Sequence, residues 1–448
     1  MHDDLIERYA APVPRYTSYP TAPHFHAGVT SQTYARWLGE VTQSVAISLY
    51  IHVPYCDRLC WFCGCHTKHT LRYEPITSYL DALYAEIDWV SERLAGNGMV
   101  SAIHLGGGSP TMLTPDDMAR LKAHLAARFQ IAGDVEISIE IDPNDLGEDR
   151  FDAMASFGLT RASVGVQDFD PRVQRAINRI QSFEQTKHVI DQVRARGVHS
   201  VNVDVLYGLP YQTLESIEAT IGQVLSLAPD RTALFGYAHV PWLKKHQQMI
   251  PDAALPNIPA RFAQSMLAAQ LLNGGGLQSI GFDHFARNTD SLAIAAANGR
   301  LRRNFQGYTD DGADLLIGLG ASAIGQLPQG YVQNITVTGD YQKAAFAGTG
   351  ATSRGFALTT ADRLHGYAVE ALLCRFSLRR DELQQFGAAG RSLFERARAI
   401  TAQDDDGMTT ADAECFAITD RGRPFVRAIA AKFDTYLGKG PARHSLAV

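Results

Sequence analysis

Two hydrophobic rhythms alternate along the chain from about residue 45. Residues 45–52 form a β-branched-rich apolar run, the pattern of a buried strand. Between residues 76 and 94, Leu80, Leu83, Ile87, Val90 and Leu94 recur at helical spacing. Residues 100–105 read as a strand that ends in glycines. Thr114, Pro115, Asp116 and Asp117 start a helix: a capping hydroxyl, a proline in the first turn, and acids at the positive end of the dipole. Strands follow at 135–141, 162–166, 201–206 and 233–239. Helices follow at 149–157, 183–196 (closed by Gly197) and 214–227.

Six strands, each followed by a helix or the start of one, predict an α/β fold with parallel strands. The two candidates at this level are a barrel and an open doubly wound sheet. Polar residues gather just after the strand ends, at 56–65, 106–111 and 140–144, at Gln167 and Asp168, and at Asp204 and His239. That carboxyl edge is where such folds bind ligands. Residues 1–35 are rich in Pro, Tyr, Thr and Ser, and 14–21 read as an extended, packed arm. After residue 350 the pattern changes to helices at 361–376 and 380–385, a hairpin of 408–410 with 415–418, and a last helix from Thr419 towards Tyr436. Helix, hairpin and helix suggest a winged nucleic-acid module, but Arg421, Arg423 and Arg427 are too few to carry one. Asp404, Asp405 and Asp406 read as a solvated loop.

Charge supports that exclusion. Lys and Arg number 41 against 47 for Asp and Glu, so bulk electrostatics do not favour nucleic acid. No run reaches the 18 or so apolar residues of a membrane span. The acidic start, Met1 to Arg8, lacks the apolar core of a secretory signal. The expectation is a cytoplasmic protein with reduced thiols.

The six cysteines then matter by position. Cys56, Cys60, Cys63 and Cys65 fall in ten residues; Cys374 and Cys415 stand alone in apolar contexts and read as small buried hydrophobes. The spacing C-x3-C-x2-C-x-C lacks the second, distant pair of a zinc site. One loop can supply every thiolate of an iron–sulfur cluster, and three ligands would leave one iron open. Spacing does not say which three. Gly106, Gly107 and Gly108 follow a strand, where missing side chains let a ligand approach; with no Lys-Ser/Thr after them they are not a phosphate loop. Glu140 and Asp204 lie on strands among apolar neighbours and need a partner, such as a cation or ribose hydroxyls.

This cysteine loop after a first strand resembles the radical S-adenosylmethionine (SAM) superfamily. Cys63-Gly64-Cys65, the opening 14–21, Tyr207-Gly208-Leu209-Pro210, Tyr237-Ala238-His239, Gly281-Phe282-Asp283-His284-Phe285 and Phe305-Gln306-Gly307-Tyr308-Thr309 narrow it. In that order they resemble the oxygen-independent coproporphyrinogen III oxidase family, from about residue 10 to the C-terminus. The resemblance implies a [4Fe-4S] cluster on Cys56, Cys60 and Cys63, with Cys65 beside it as a non-ligand. It implies two SAM molecules, contacted by Tyr50, Phe62, Gly106, Gly107, Gly108, Glu140, Gln167, Arg179, Asp204, Ala238 and Ile324. Cys65, His52, Phe305 and Gln306 are the candidate catalytic residues. The implied reaction turns two propionates of coproporphyrinogen III into vinyl groups by radical decarboxylation, giving protoporphyrinogen IX.

The expected architecture is a partial (β/α)6 TIM-like barrel: an arm at 1–35, a catalytic domain at 36–350, and a smaller, mostly helical C-terminal domain at 351–448. The substrate's four carboxylates call for local cations, for which Arg15, Arg302 and Arg303 are candidates. Expected partners are the substrate and a small electron donor such as a flavodoxin or ferredoxin, with no nucleic acid or membrane, and a monomer. The alternatives are a haem-trafficking or haem-modifying relative in the superfamily, and a non-catalytic iron–sulfur or zinc protein; a mere carrier has no use for the strand-end Gly, Glu, Gln and Asp.

Overall fold

The computed structural model describes residues 3–144 and 146–439. The outermost ends of the expected arm and C-terminal domain, at 1–2 and 440–448, lie outside the described residues. Six parallel strands follow one another in chain order across one sheet: β1 Ala46–Val53, β2 Met99–Gly107, β3 Ile131–Ile141, β4 Arg161–Gln167, β5 Ser200–Tyr207 and β6 Arg231–Gly236. Helices α1 Glu74–Leu94, α2 Pro115–Arg128, α3 Glu148–Phe157, α4 Phe183–Ala195 and α5 Leu214–Ser226 make the crossovers, and α6 Ile258–Gly274 follows β6. Thr114 caps α2 by accepting the Asp117 N–H, and Ser182 with Gln185 forms a reciprocal cap on α4.

The strands carry opposite chemistry on their two faces. Ile47, Leu49, Ile51 and Val53, then Ile137, Ile139 and Ile141, then Val201, Val203 and Val205, are buried beneath the helices. The α1 stripe predicted from spacing packs into this core. The alternate positions hold Ser48, Tyr50 and His52, Ser138, Glu140 and Asp142, and Asn202 and Asp204. A period of two therefore places the polar set on the inner face. At its amino-terminal end that face is closed by ion pairs: Arg161 with Glu136 at 2.6 Å and Asp310 at 3.2 Å, and Arg231 with Asp290 at 2.6 Å and Asp310 at 3.3 Å.

The sheet is wider than expected. Leu315–Leu319 is a seventh parallel strand, beside β1. Ile324–Leu327, Gly330–Asn334 and Thr352–Ala357 extend that side antiparallel, and His284–Ala286 with Gln278–Ile280 extends the other. These are strands of three to six residues, too short to show a period. Thr352–Ala357 is an edge strand of the main sheet and begins just past residue 350, so it falls on the C-terminal side of the expected boundary.

The arm links the end of β6 to the edge strand on the opposite side. The Arg15 guanidinium donates to the Gly236 carbonyl at the end of β6. His26 bridges to Gly355 on the opposite edge strand. Leu5, Ile6, Val13, Tyr16 and Tyr19 share one core with Phe394, Phe416, Phe425 and Phe433 of the C-terminal region. That region holds helices Thr360–Arg375 and Gly387–Ala402 and a three-stranded sheet of Ser377–Arg379, Cys415–Ile418 and Thr409–Ala411. The helix expected at 380–385 is a 3-10 turn at Glu382–Phe386, and the helix after it carries two glycines that blur its pattern. Pro424 breaks the expected last helix into a turn at Arg423–Phe425 and a helix at Val426–Ala431. Arg427 is buried and donates to the Val13 and Pro14 carbonyls, so it faces the arm. Cys374 is buried as expected, whereas Cys415 is only half-buried, on its strand. Among the described residues no helix is long and apolar enough to cross a membrane.

Glu86 on α1 ties that helix to the segment after the seventh strand. It accepts from the Gly320 N–H at 2.7 Å and the Tyr341 hydroxyl at 2.6 Å. Burial pushes its carboxyl up to about 7, against those donors and Asn334. The native state therefore holds a proton that the unfolded state releases near the ordinary glutamate value. Its contribution is complete below that value and is lost as pH rises through about 7. Urea unfolding should show stability falling between pH 5 and 8 by on the order of 2–3 kcal/mol from this group. Glu86→Gln should flatten that fall; an unchanged slope refutes the assignment.

Candidate active site

The four clustered cysteines lie on the loop that leaves β1. Tyr55–Cys56 pairs with Lys68–His69, and the Thr70 N–H donates to the Cys56 carbonyl at 3.0 Å. On one side the Trp61 N–H donates to the Ile177 carbonyl and Asn178 Nδ2 to the Leu59 carbonyl, both at 2.9 Å. On the other, Lys244 Nζ donates to the Cys65 carbonyl at 2.8 Å, His246 Nε2 to that of Cys63 at 2.7 Å, and Gln247 Nε2 to that of Phe62 at 3.0 Å. Gln247 also reaches the Ala238 carbonyl at 3.1 Å. The carbonyls of Cys56, Leu59, Cys60, Phe62, Cys63 and Cys65 thus each have a donor, as a buried non-repeating backbone requires. The sequence reading missed Lys244, His246 and Gln247. Their signal was a run of donor side chains just past a strand end.

The thiols of Cys56, Cys60 and Cys63 lie within electrostatic reach of one another. Cys60 is buried and accepts from Arg179 Nη1 at 3.6 Å; Cys63 accepts the Cys65 N–H at 3.4 Å; Cys65 is exposed. Burial pushes Cys56 up to about 12. Hydrogen bonds from Cys65 pull Cys63 down to about 6 against burial, with Lys244 and His246 adding to the pull. Amide and guanidinium donors aimed at sulfur suit thiolates. Among the described residues no three His, Cys, Asp or Glu side chains converge on a single-ion site. The thiolates of a four-iron cluster each hold a different iron and need no common centre.

Above the loop the inner face of the sheet is polar and open. Glu140 stands on a central strand, yet its side chain is 41% exposed. It accepts from the Gly107 N–H at 2.9 Å and faces His104 at 3.4 Å. Burial opposes its charge, but His104 and the Gly107 N–H outweigh that and hold it below the usual glutamate range. Asp204 accepts from Ser163 at 3.0 Å and Asn202 at 2.7 Å, and burial together with Glu140 pushes it up to about 6. Arg179 is fixed by Asp142 at 3.0 Å and the Gly165 carbonyl at 2.7 Å, while its Nε is buried without a partner. Gln167 sits at φ +68°, where the Asp168 N–H reaches back to the Val166 carbonyl at 2.9 Å. This tight turn ends β4 and turns the Gln167 side chain out of the strand's alternation.

The three glycines are demanded by neighbouring protein atoms. A Cβ on Gly106 would fall 2.7 Å from Glu140, one on Gly107 2.3 Å from the His52 ring, and one on Gly108 2.5 Å from the Tyr55 carbonyl. They let the second strand run hard against the cysteine loop. Tyr50 donates to His52 Nδ1 at 2.9 Å, and His52 Nε2 donates to the His66 carbonyl at 2.9 Å. Burial pulls His52 below the usual histidine range, so the ring is neutral. Both its nitrogens are used within the protein, and the second ties it to the cysteine loop. Phe62 packs on the apolar cluster around Tyr237, and Ile324 lies against Gly318, the neighbour of Tyr50 across the sheet.

Phe305 and Gln306 form the turn of the hairpin Arg302–Asn304 with Gly307–Thr309. They stand beside the arm: the Phe305 ring meets Tyr331 at 5.9 Å and Phe25 at 6.5 Å, and Gln306 is exposed. The expected cations separate. Arg302 is exposed, while Arg303 is buried against Asp283 at 3.2 Å and under the Phe282 and Tyr308 rings.

This geometry defines a class. A family model described as the Radical SAM superfamily matches residues 50–224, from β1 through α5. Across the whole length, the chain is 46% identical to the oxygen-independent coproporphyrinogen III oxidase of Bradyrhizobium diazoefficiens, covering 100% of both chains. It is 38% identical to that of Escherichia coli K12, covering 97% of this chain and 95% of the relative. The solved structure of coproporphyrinogen III oxidase from Escherichia coli, described there as a radical SAM enzyme, superposes with a TM-score of 0.90 over 94% of this chain and 97% of that one. The chain belongs to the oxygen-independent coproporphyrinogen III oxidase family and is an oxidoreductase of the radical SAM class, whose members use a [4Fe-4S] cluster and SAM.

The residues present fit both groups: three mutually facing thiols with donors aimed at two of them, and an open polar lumen holding an orphaned guanidinium nitrogen. After anaerobic reconstitution, Cys60→Ser should lose the bound iron and the brown absorbance, whereas Cys65→Ser should keep both. Loss in Cys65→Ser with retention in Cys56→Ser would overturn the ligand set.

Proposed function

We propose that the chain converts two propionate side chains of coproporphyrinogen III to vinyl groups without oxygen, giving protoporphyrinogen IX in haem biosynthesis. The observation that carries this reading is the open carboxylate lumen directly above the cysteine loop, in a chain whose full-length relatives are named for that substrate. When bound, the cluster and SAM supply single-electron reduction and hydrogen-atom abstraction at an unactivated carbon.

The protein's part is to hold, orient and exclude. Cys56, Cys60 and Cys63 hold the cluster, and Cys65 stands beside it. Tyr50, Phe62, Gly106, Gly107, Gly108, Glu140, Gln167, Arg179, Asp204, Ala238 and Ile324 hold two SAM molecules. Glu140, ionised, suits a cationic group; Asp204 accepts from hydroxyls; Arg179 offers its spare N–H to a carboxylate. Phe305, half-exposed and backed by the buried rings of Phe25 and Tyr331, offers an aromatic face to the flat, apolar body of a tetrapyrrole. Gln306 at the same turn, together with Cys65, faces substrate. Closure by the arm keeps bulk water from a reactive centre. The chain works as a cytoplasmic monomer and takes its electrons from a small donor protein.

Anaerobic incubation of reconstituted protein with dithionite, SAM and coproporphyrinogen III should yield 5′-deoxyadenosine, carbon dioxide and the divinyl product. Absence of 5′-deoxyadenosine defeats the radical reading; its formation without the vinyl product defeats the substrate. Glu140→Gln should weaken SAM binding at least about tenfold, the loss of a charge-assisted contact, with iron content unchanged.

A further inference from the structure

Between the end of β6, the arm and the C-terminal region lies a cavity of about 280 Å3, apart from the residues assigned above. Four arginines line it: Arg15, Arg261, Arg423 and Arg427. The carboxylates in its wall are already engaged. Asp283 faces Arg303 at 3.2 Å and His284 at 2.7 Å, and Asp420 pairs with Arg423 at 3.2 Å on the exposed rim. Arg427 donates to the arm carbonyls of Val13 and Pro14.

Arg15 and Arg261 are held differently. Arg15 donates to the Gly236 carbonyl and lies 5.7 Å over the Phe235 ring. Arg261 donates to the Tyr237 carbonyl at 3.0 Å and the Gly208 carbonyl at 3.4 Å, and its Nε is buried without a partner. The sequence makes room for this guanidinium. A Cβ at Gly208, where φ is +78°, would fall 2.2 Å from Arg261 Nη1, and one at Gly236 would fall 3.2 Å from Nη2. Burial depresses both arginines below their ordinary range, and they repel each other. Carbonyls and ring faces satisfy donors without cancelling charge, and the Asp283 carboxylate that faces Arg15 is shared with Arg303 and His284, so the cations gathered around this open space outnumber its anions and call for another.

We propose that this cavity is an anion site, taking one carboxylate group between Arg15 and Arg261. Its volume admits a propionate-sized group and not a tetrapyrrole ring. Two carriers share that chemistry: a side chain of the tetrapyrrole whose body stays outside, and a small free acid. The site stands without the proposed reaction; only the tetrapyrrole as carrier rests on it.

The test is thermal unfolding of the full chain titrated with succinate or with coproporphyrin III, against chloride at equal ionic strength. The wild type should gain stability saturably. Arg261→Gln should lose that gain while unfolding, without ligand, at or above the wild-type temperature, because a buried repulsion is gone. Arg261→Lys, which keeps the charge and loses the fork, should bind more weakly, and Arg15→Gln should bind less. No saturable gain from either probe overturns the site, as does a gain that persists unchanged in Arg261→Gln and Arg15→Gln. A gain from coproporphyrin III that competes with succinate supports the site with a tetrapyrrole carrier, and a gain from succinate alone supports it with a free acid. A chain that binds either probe yet yields no vinyl product refutes the reaction and leaves the site.

Discussion

The structure depends on one constraint: a parallel sheet whose two faces must satisfy opposite demands. The helix-facing residues of β1 through β6 are Ile, Leu and Val, and their burial drives folding. The inner face carries Glu140, Asp204 and Asp142, which a dry interior would not tolerate. The fold resolves this by grading the inner face along the strands. At the amino ends, Arg161 and Arg231 neutralise Glu136, Asp290 and Asp310. Midway, hydroxyls and amides hold Asp204. Only at the carboxyl ends are charged groups left open, and the cysteine loop sits there.

An open sheet leaves two edges, and the remaining segments deal with them. Short antiparallel strands widen both sides. The arm then crosses the gap from Gly236 to Gly355, and the C-terminal helices pack behind it. The arm is therefore packed into the fold at both of its attachments. The same requirement explains why buried arginines cluster at its crossing with β6: extended chain offers carbonyls without sheet partners, and guanidinium groups are multidentate donors for them.

Legibility in the sequence followed the length of the pattern. The strands β1 to β6 and the α1 stripe were readable because each repeats its period several times. Leu315–Leu319 was not, since Leu-Leu-Ile-Gly-Leu is too short to carry a period. The helix at Gly387–Ala402 was hidden by its glycines, and the last helix was overdrawn across Pro424. The cysteine loop was legible as chemistry because four thiols in ten residues have few other uses. Its supports were not: Lys244, His246 and Gln247 act across about 180 positions, and a run of donors past a strand end does not say which carbonyls they reach. Gly106, Gly107 and Gly108 read as places where a ligand comes close, and the protein atoms that a Cβ there would strike are those of Glu140, His52 and Tyr55. His52 read as a candidate for chemistry, and in the structure both its ring nitrogens are hydrogen-bonded within the protein. Arg303 looked like a free cation and is committed to Asp283.

The arm's two attachments have a bearing on the order of events during synthesis. Residue 15 waits for residue 236, residue 26 waits for residue 355, and Tyr16 waits for Asp434. A ribosome that has finished the six parallel strands has made the cysteine loop and its lumen but cannot yet close them. The interval between residue 236 and the last helix is a window in which the nascent lumen stands open to whatever must enter it. The latest-made part of the chain then shuts it by locking the earliest-made part in place.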